Sequence, residues 1–190
     1  MNDTAAEIIT ILRDRKLTLG TVESATGGLI AHLITNIPGS SDVFRGSIVS
    51  YSNEIKMKIV GVKTAALEKY GAVSSQVADE MAAGGRKALG VDICVADTGI
   101  AGPGGATPGK PVGLFYLGLS TKEVTETKKH LFTGSREENK QQAAQTALMW
   151  VLDYLKKLPV YSVLSPRGRE PKVLCFGRIT SKQMYRERGH

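Results

Sequence analysis

Cysteine, histidine and long apolar runs are all scarce in this sequence, and each scarcity closes off a class of protein. Two cysteines, Cys94 and Cys175, occur in 190 residues with no Cys-x-x-Cys spacing. A disulfide scaffold and a thiolate zinc site are therefore not expected, and a reducing, cytoplasmic setting fits. Cys94 sits in the apolar run VDICVAD and reads as a packed thiol. The three histidines fall in a helix-like stretch (His32), a strand-like stretch (His130) and the last position (His190). No pair has metal-ligand spacing, so no metal site and no Ser-His-Asp triad is expected. No run of 18 apolar residues exists, which excludes an obvious transmembrane helix. The opening MNDTAAEIIT carries early acids and no basic n-region, unlike a signal peptide. Excess charge is missing from most of the chain as well. The net +7 lies in residues 156–190, which hold nine Lys/Arg against two Glu, while residues 1–155 balance 16 basic against 16 acidic residues. The main body thus gives no electrostatic sign of nucleic-acid binding, and the basic tail is the one segment where such a partner would be met.

What is present is an alternation of helical and strand patterns. Residues 4–16 place Ile8, Ile9, Ile11 and Leu12 on one helical face behind Asn2 or Asp3 as cap. Strand patterns are expected at 17–23, 45–52 and 91–99, and a hairpin from 112–120 to 124–132. Helices are expected at 26–35, 53–61, 64–71, 74–90 and 135–157, several closed by glycine. Gly84 and Gly85 inside the 74–90 pattern cost helix stability and mark close packing. The interleaving predicts a three-layer α/β/α sandwich with a mixed sheet, one domain over 1–158, followed by a basic, poorly ordered extension over 159–190.

Three stretches carry candidate chemistry. Gly104–Pro111 matches a phosphate-cradling G-x-x-x-x-G-K-[ST] except at the last place, where Pro111 has neither hydroxyl nor N–H, and a strand rather than a helix follows. A Walker loop is excluded. A stiffened loop after Asp97-Thr98-Gly99 remains, placed to bring backbone close to a ligand. The second stretch, VESATGGLI, ends a strand in Glu-Ser and enters a helix through Thr26, Gly27 and Gly28, where first-turn N–H groups predict an anion site beside the Ser24 and Thr26 hydroxyls. The third, IPGSSDVFRGSIVSYSNEIK, puts Tyr51 at a strand end and Lys56 near a helix start, where the dipole and burial would lower the lysine pKa. Such a lysine suits a Ser-Lys pair, with Ser52 as the local partner and a serine of the PGSS loop as the distant one.

Taken in order, ESATGGLIAHLIT, PGSSDVFRGSIVSYSNEIK, GAVSSQVADEMA, DTGIAGPGG with KPVGLFYLGL, and FTGSR resemble the CinA C-terminal domain family over about residues 4–157. The resemblance implies a PncC-like nicotinamide mononucleotide deamidase, a hydrolase releasing ammonia from that carboxamide in pyridine-nucleotide recycling, without metal or organic cofactor. It implies Ser41 as nucleophile, Lys56 as general base, and Tyr51 lining the site. Ser24 and Thr98 would contact substrate or support the reacting groups, and Arg136 would suit its phosphate or ribose. With Thr26, Gly27, Gly28 and Gly99 these make the expected mononucleotide-binding set. Ser135 stands where the family commonly has Asp, and Lys140 where Arg is frequent. The pyrophosphatase-like domain of full-length CinA proteins has no counterpart, so that activity is not expected. The alternative is a catalytically silent nucleotide-binding or competence- and DNA-related partner module of the same fold. A homodimer or higher homo-oligomer is a further expectation, with no membrane partner.

Overall fold

Five strands assemble in the order β2-β1-β3-β4-β5 in a computed structural model that describes residues 2–159. They are β1 (Leu19–Glu23), β2 (Phe44–Val49), β3 (Ile93–Gly99), β4 (Leu114–Ser120) and β5 (Thr125–Leu131). β1 runs parallel to both neighbours, β2 and β3, whereas β3–β4 and β4–β5 are antiparallel. The sheet is therefore mixed, as expected. The expected extension falls, from residue 160 onward, outside the described residues.

Burial explains the strand compositions. β1 is buried at every position and β3 at all but its last residue, so both faces are covered and the strands need no polar alternation. β5 is the edge, and its TETKKHL sequence leaves most positions exposed. The six helices are α1 (Asn2–Arg15), α2 (Leu29–Thr35), α3 (Asn53–Val60), α4 (Thr64–Tyr70), α5 (Ser75–Leu89) and α6 (Arg136–Lys157). On one face Val60, Ala66, Val77 and Met81 of α3, α4 and α5 pack on Val22, Cys94 and Ala96 of the sheet. On the other, Phe115 of β4 packs on Ala143 of α6. Helices on both faces of a mixed sheet make a three-layer α/β/α sandwich.

Close approach is built in at glycine. A Cβ at Gly84 would lie 1.6 Å from the Val60 carbonyl oxygen, so α5 meets the end of α3 backbone to backbone. α5 itself begins at Ser74, whose Oγ accepts the Val77 N–H at 3.3 Å, and ends at left-handed Gly90. α6 opens with a reciprocal capping box: the Ser135 N–H donates to Glu138 Oε2 at 2.7 Å, and the Glu138 N–H to Ser135 Oγ at 3.4 Å.

This topology positions a site. The parallel strands β1, β2 and β3 all end at one edge of the sheet, and their following segments are the Ser24–Gly28 turn, residues 50–52 and the loop at 100–113. The chain steps from β1 to β2 on one side and to β3 on the other, so β1/β3 is a switch point of the kind that leaves a crevice beyond strand ends.

Candidate functional site

Two buried carboxylates organise the crevice, and neither was singled out by spacing or motif. Glu23 at the end of β1 is fully buried and folds its side chain onto the start of α2. Its Oε2 accepts the N–H groups of Gly28 at 2.7 Å and Ile30 at 3.0 Å, and Oε1 that of Ala31 at 2.8 Å. The expected anion site at the first turn of this helix is thus filled by the chain's own carboxylate. Gly28, in the left-handed region at φ 102°, occupies the cap position. Asp97 near the end of β3 is also fully buried and accepts the N–H groups of Ser24 and Thr26, each at 3.1 Å. Burial pushes its carboxyl up to about 6, opposed by the Thr26 hydroxyl that donates to it and by those N–H groups, and helped by the nearby Glu23 charge. The sequence signal for this pair was an acid at the C-terminal end of each central parallel strand, in VES and ADTG.

Lys56 lies in α3 with its side chain only 1% exposed. Its Nζ donates to Ser24 Oγ at 2.9 Å, to the Ser50 carbonyl at 2.7 Å and to the Tyr51 carbonyl at 3.4 Å. Burial lowers its pKa, and the nearby Asp97 pulls the other way. Ser52, the local candidate partner, is instead the cap of α3, accepting the Ile55 N–H at 3.2 Å. Ser41 is exposed in the short 3-10 turn Ser40–Asp42 and is not among the partners of Lys56. The Ser50 hydroxyl is buried without a partner among the described residues.

Beside this cluster runs an open groove of about 680 Å³, walled by Thr26, Gly27, Gly28, His32, Arg136 and Lys140. A methyl added at Gly27 would lie 3.8 Å from Lys140 Nζ, so that ammonium hangs over the glycine turn. Arg136 joins two loops across the mouth: Nη1 donates to the Gly102 carbonyl at 2.7 Å and Nη2 to Tyr51 Oη at 3.3 Å. Tyr51 is 64% exposed and offers its ring to solvent. Asn139, fully buried one turn along α6, fixes the same loop by donating to the Ala101 carbonyl at 3.0 Å.

The fold thus brings Ser24, Thr26, Lys56 and the Tyr51 backbone together, and sets Gly27, Gly28 and Arg136 along one groove. The Thr98 hydroxyl donates to the Ala72 carbonyl at 2.8 Å, and a Cβ at Gly99 would sit 2.4 Å from the Phe115 ring. Among the described residues no group of three or more His, Cys, Asp or Glu is placed to hold a metal ion. His32 meets Asn36 and His130 stacks on Phe132, so neither histidine hydrogen-bonds a serine or carboxylate there. No helix among the described residues is long and apolar enough to cross a membrane.

A mixed five-stranded sheet with helices on both faces, and a crevice with basic side chains beyond its strand ends, defines a three-layer α/β/α domain. The family model of the CinA C-terminal domain matches residues 1–155, and the chain belongs to that family. It is 48% identical over 156 residues to a CinA-like protein of Leptospira borgpetersenii, covering 82% of this chain and 37% of that protein. The chain thus spans little more than a third of the length of the curated relatives it matches. Among solved structures it resembles the competence damage-inducible protein A of Klebsiella pneumoniae, with a TM-score of 0.80 at 30% identity over 82% of this chain and 97% of that one. A competence/damage inducible protein of Agrobacterium tumefaciens superposes at 0.79 and 38% identity, over 82% and 95%.

These findings correct the activity attached to the resemblance. The expectation of a PncC-like nicotinamide mononucleotide deamidase, and with it the descriptors hydrolase, amidohydrolase and pyridine-nucleotide recycling, is overturned. The family matched is the CinA C-terminal domain, and the solved neighbours are described by competence and damage induction. Lys56 directs its donors to Ser24 and two carbonyls, and Ser41 is not among its hydrogen-bond partners. The silent binding module, held as the alternative, is the better supported reading.

Proposed function

We propose that this domain is a catalytically silent binding module of a competence-damage system, whose groove takes a mononucleotide-sized anion. One observation carries the reading: Arg136 and Lys140 stand over the Gly27–Gly28 turn in a groove of about 680 Å³. That volume suits a small ligand. Guanidinium and ammonium groups suit a phosphate, and the exposed Tyr51 ring suits a base. In this reading Ser24, Thr26, Gly27, Gly28, Tyr51 and Arg136 belong to the binding surface, with Thr98 and Gly99 supporting its far wall. The test is calorimetric titration with AMP and with nicotinamide mononucleotide, followed by chromatography of the recovered ligand. Binding with ligand recovered intact is the expected outcome, weakened about tenfold by Arg136→Ala or Lys140→Ala. Ammonia in the supernatant, or affinity unaffected by both substitutions, would sink the reading.

A second reading is favoured by the charge asymmetry of the chain. The seven Lys/Arg and two Glu of residues 159–190, outside the 1–158 domain, suit contact with DNA. We place the chain in the cytoplasm on its two-cysteine composition. Self-association into a homodimer, through small exposed residues of α5 such as Ala83 and Ala88, is checked by sedimentation equilibrium.

A further inference from the structure

Two depressions of different chemistry lie in line between α2 and α6. The groove of about 680 Å³ is cationic: Arg136 and Lys140 stand one turn apart on α6, and His32 of α2 lines the same space. Lys140 has no hydrogen-bond or ion-pair partner among the described residues. Glu137 also lines the groove, so two fixed cations face one acid. Further along both helices is a pit of about 150 Å³, walled by Thr4, Leu33, Gln145, Leu148 and Met149. Leu33 follows His32 directly, and Leu148 lies two turns beyond Lys140. Leu148 is 3% exposed and forms part of the core, whereas Met149 is 50% exposed. Toward the end of α6, Lys156 is paired with Glu7 of α1 at 2.8 Å, so those two charges cancel. The valley is therefore cationic at one end and apolar at the other.

We propose that this valley docks an extended peptide segment of a partner protein, whose acidic side chain meets Arg136 and Lys140 and whose leucine- or methionine-sized side chain, four positions away, fills the pit. The size of the pit selects the anchor. A volume of about 150 Å³ holds one benzene ring in another protein, and hence one aliphatic side chain here. The length of the valley sets the spacing. Eight residues of α6 separate Lys140 from Leu148, about 12 Å at a rise of about 1.5 Å per residue. Four residues of extended chain reach about 13 Å at about 3.3 Å each. A docking helix would instead need a row of apolar anchors, and the stretch between the two ends is lined by the uncharged polar Gln141 and Gln145. Met149, flexible and polarizable at the edge of the pit, adapts to the anchor it meets. The acid uses the cations assigned above to a small anion, so that half of the proposal rests on the binding reading, whereas the pit does not. A mononucleotide and the peptide therefore compete.

The test is selection of phage-displayed random dodecapeptides on the immobilised full chain, followed by fluorescence anisotropy of the synthesised winners. The expected sequences carry Asp or Glu with Leu, Ile or Met four positions away. Met149→Asp puts a charge at the pit from an exposed position, and should weaken the selected peptide about tenfold or more. Lys140→Glu should weaken it about tenfold, and a peptide with its acid replaced by lysine should recover that loss. A merely structural role for Lys140 would not produce the recovery. AMP should displace the peptide from the wild type. Selection without a consensus, a consensus lacking the acid or the aliphatic residue, an indifferent Met149→Asp, or a charge swap that recovers nothing would overturn the proposal. So would AMP that binds without displacing the peptide. The two readings fail separately. If AMP does not bind but the peptide does, the mononucleotide reading falls and the docking surface stands. If AMP binds and no peptide is selected, the docking surface falls alone.

Discussion

Lys56 is a cation held away from water by three neutral oxygens. Desolvating an ammonium costs more than such partners return, so Lys56→Met should fill the same space and raise stability by about 1–2 kcal/mol. The pH dependence has a definite sign. The folded lysine binds its proton less tightly than the unfolded one, so stability rises with pH from the lowered pKa up to the ordinary value of 10.5. Calorimetric melts at rising alkaline pH should show that rise in the wild type and lose it in Lys56→Met; parallel curves would refute it. Asp97 has the opposite sign. Its pKa is raised from 3.8 to about 6, so the folded chain keeps a proton the unfolded chain has lost, and stability falls as pH climbs through that window. The lowered lysine was legible in the sequence because burial follows from local pattern. Its partner was not: Ser24 lies 32 positions away, whereas Ser52 stands at helical spacing and is consumed as a cap. Hydroxyl spacing along a chain says nothing about which strand ends the sheet brings together.

Each helix and strand was legible where a cap or a period marked it. Ser74, Gly61, Gly90 and Ser135 close or open helices as their chemistry requires, and the hairpin of β4 and β5 follows from its alternation. The start of α2 was misread by three residues, because Glu23 reaches forward to cap it from the preceding strand and releases Thr26 for another role. No local rule anticipates a cap that arrives from eight positions upstream. Close packing was legible at Gly84, and it makes a sharp prediction. Gly84→Ala gains helix propensity of about 1 kcal/mol but drives a methyl into the Val60 carbonyl. Overpacking against backbone should win, leaving the variant less stable by about 1–3 kcal/mol. Urea unfolding measures it; an unchanged midpoint would mean that α3 slides aside without cost.

At the scale of the whole chain, charge and fold are separated. The family match ends at residue 155, and the residues before 156 carry no net charge, while the last 35 carry all of the +7. If the domain binds a small anion and the tail meets DNA, the two activities come apart at one cut. Ending the chain after Leu158 should leave the melting temperature and mononucleotide affinity as they are, since α6 and every groove residue are retained. The same cut should abolish binding to duplex DNA. In the full chain, affinity for DNA should fall by about 10²-fold or more between low and physiological salt, because each phosphate contact made by Lys or Arg releases a counterion. Fluorescence anisotropy of a labelled duplex across a salt series measures that slope in both forms. DNA binding that survives the cut would move the contact to the domain surface, where the Arg136–Lys140 groove is the basic feature open to it, and the mononucleotide and the duplex would then compete.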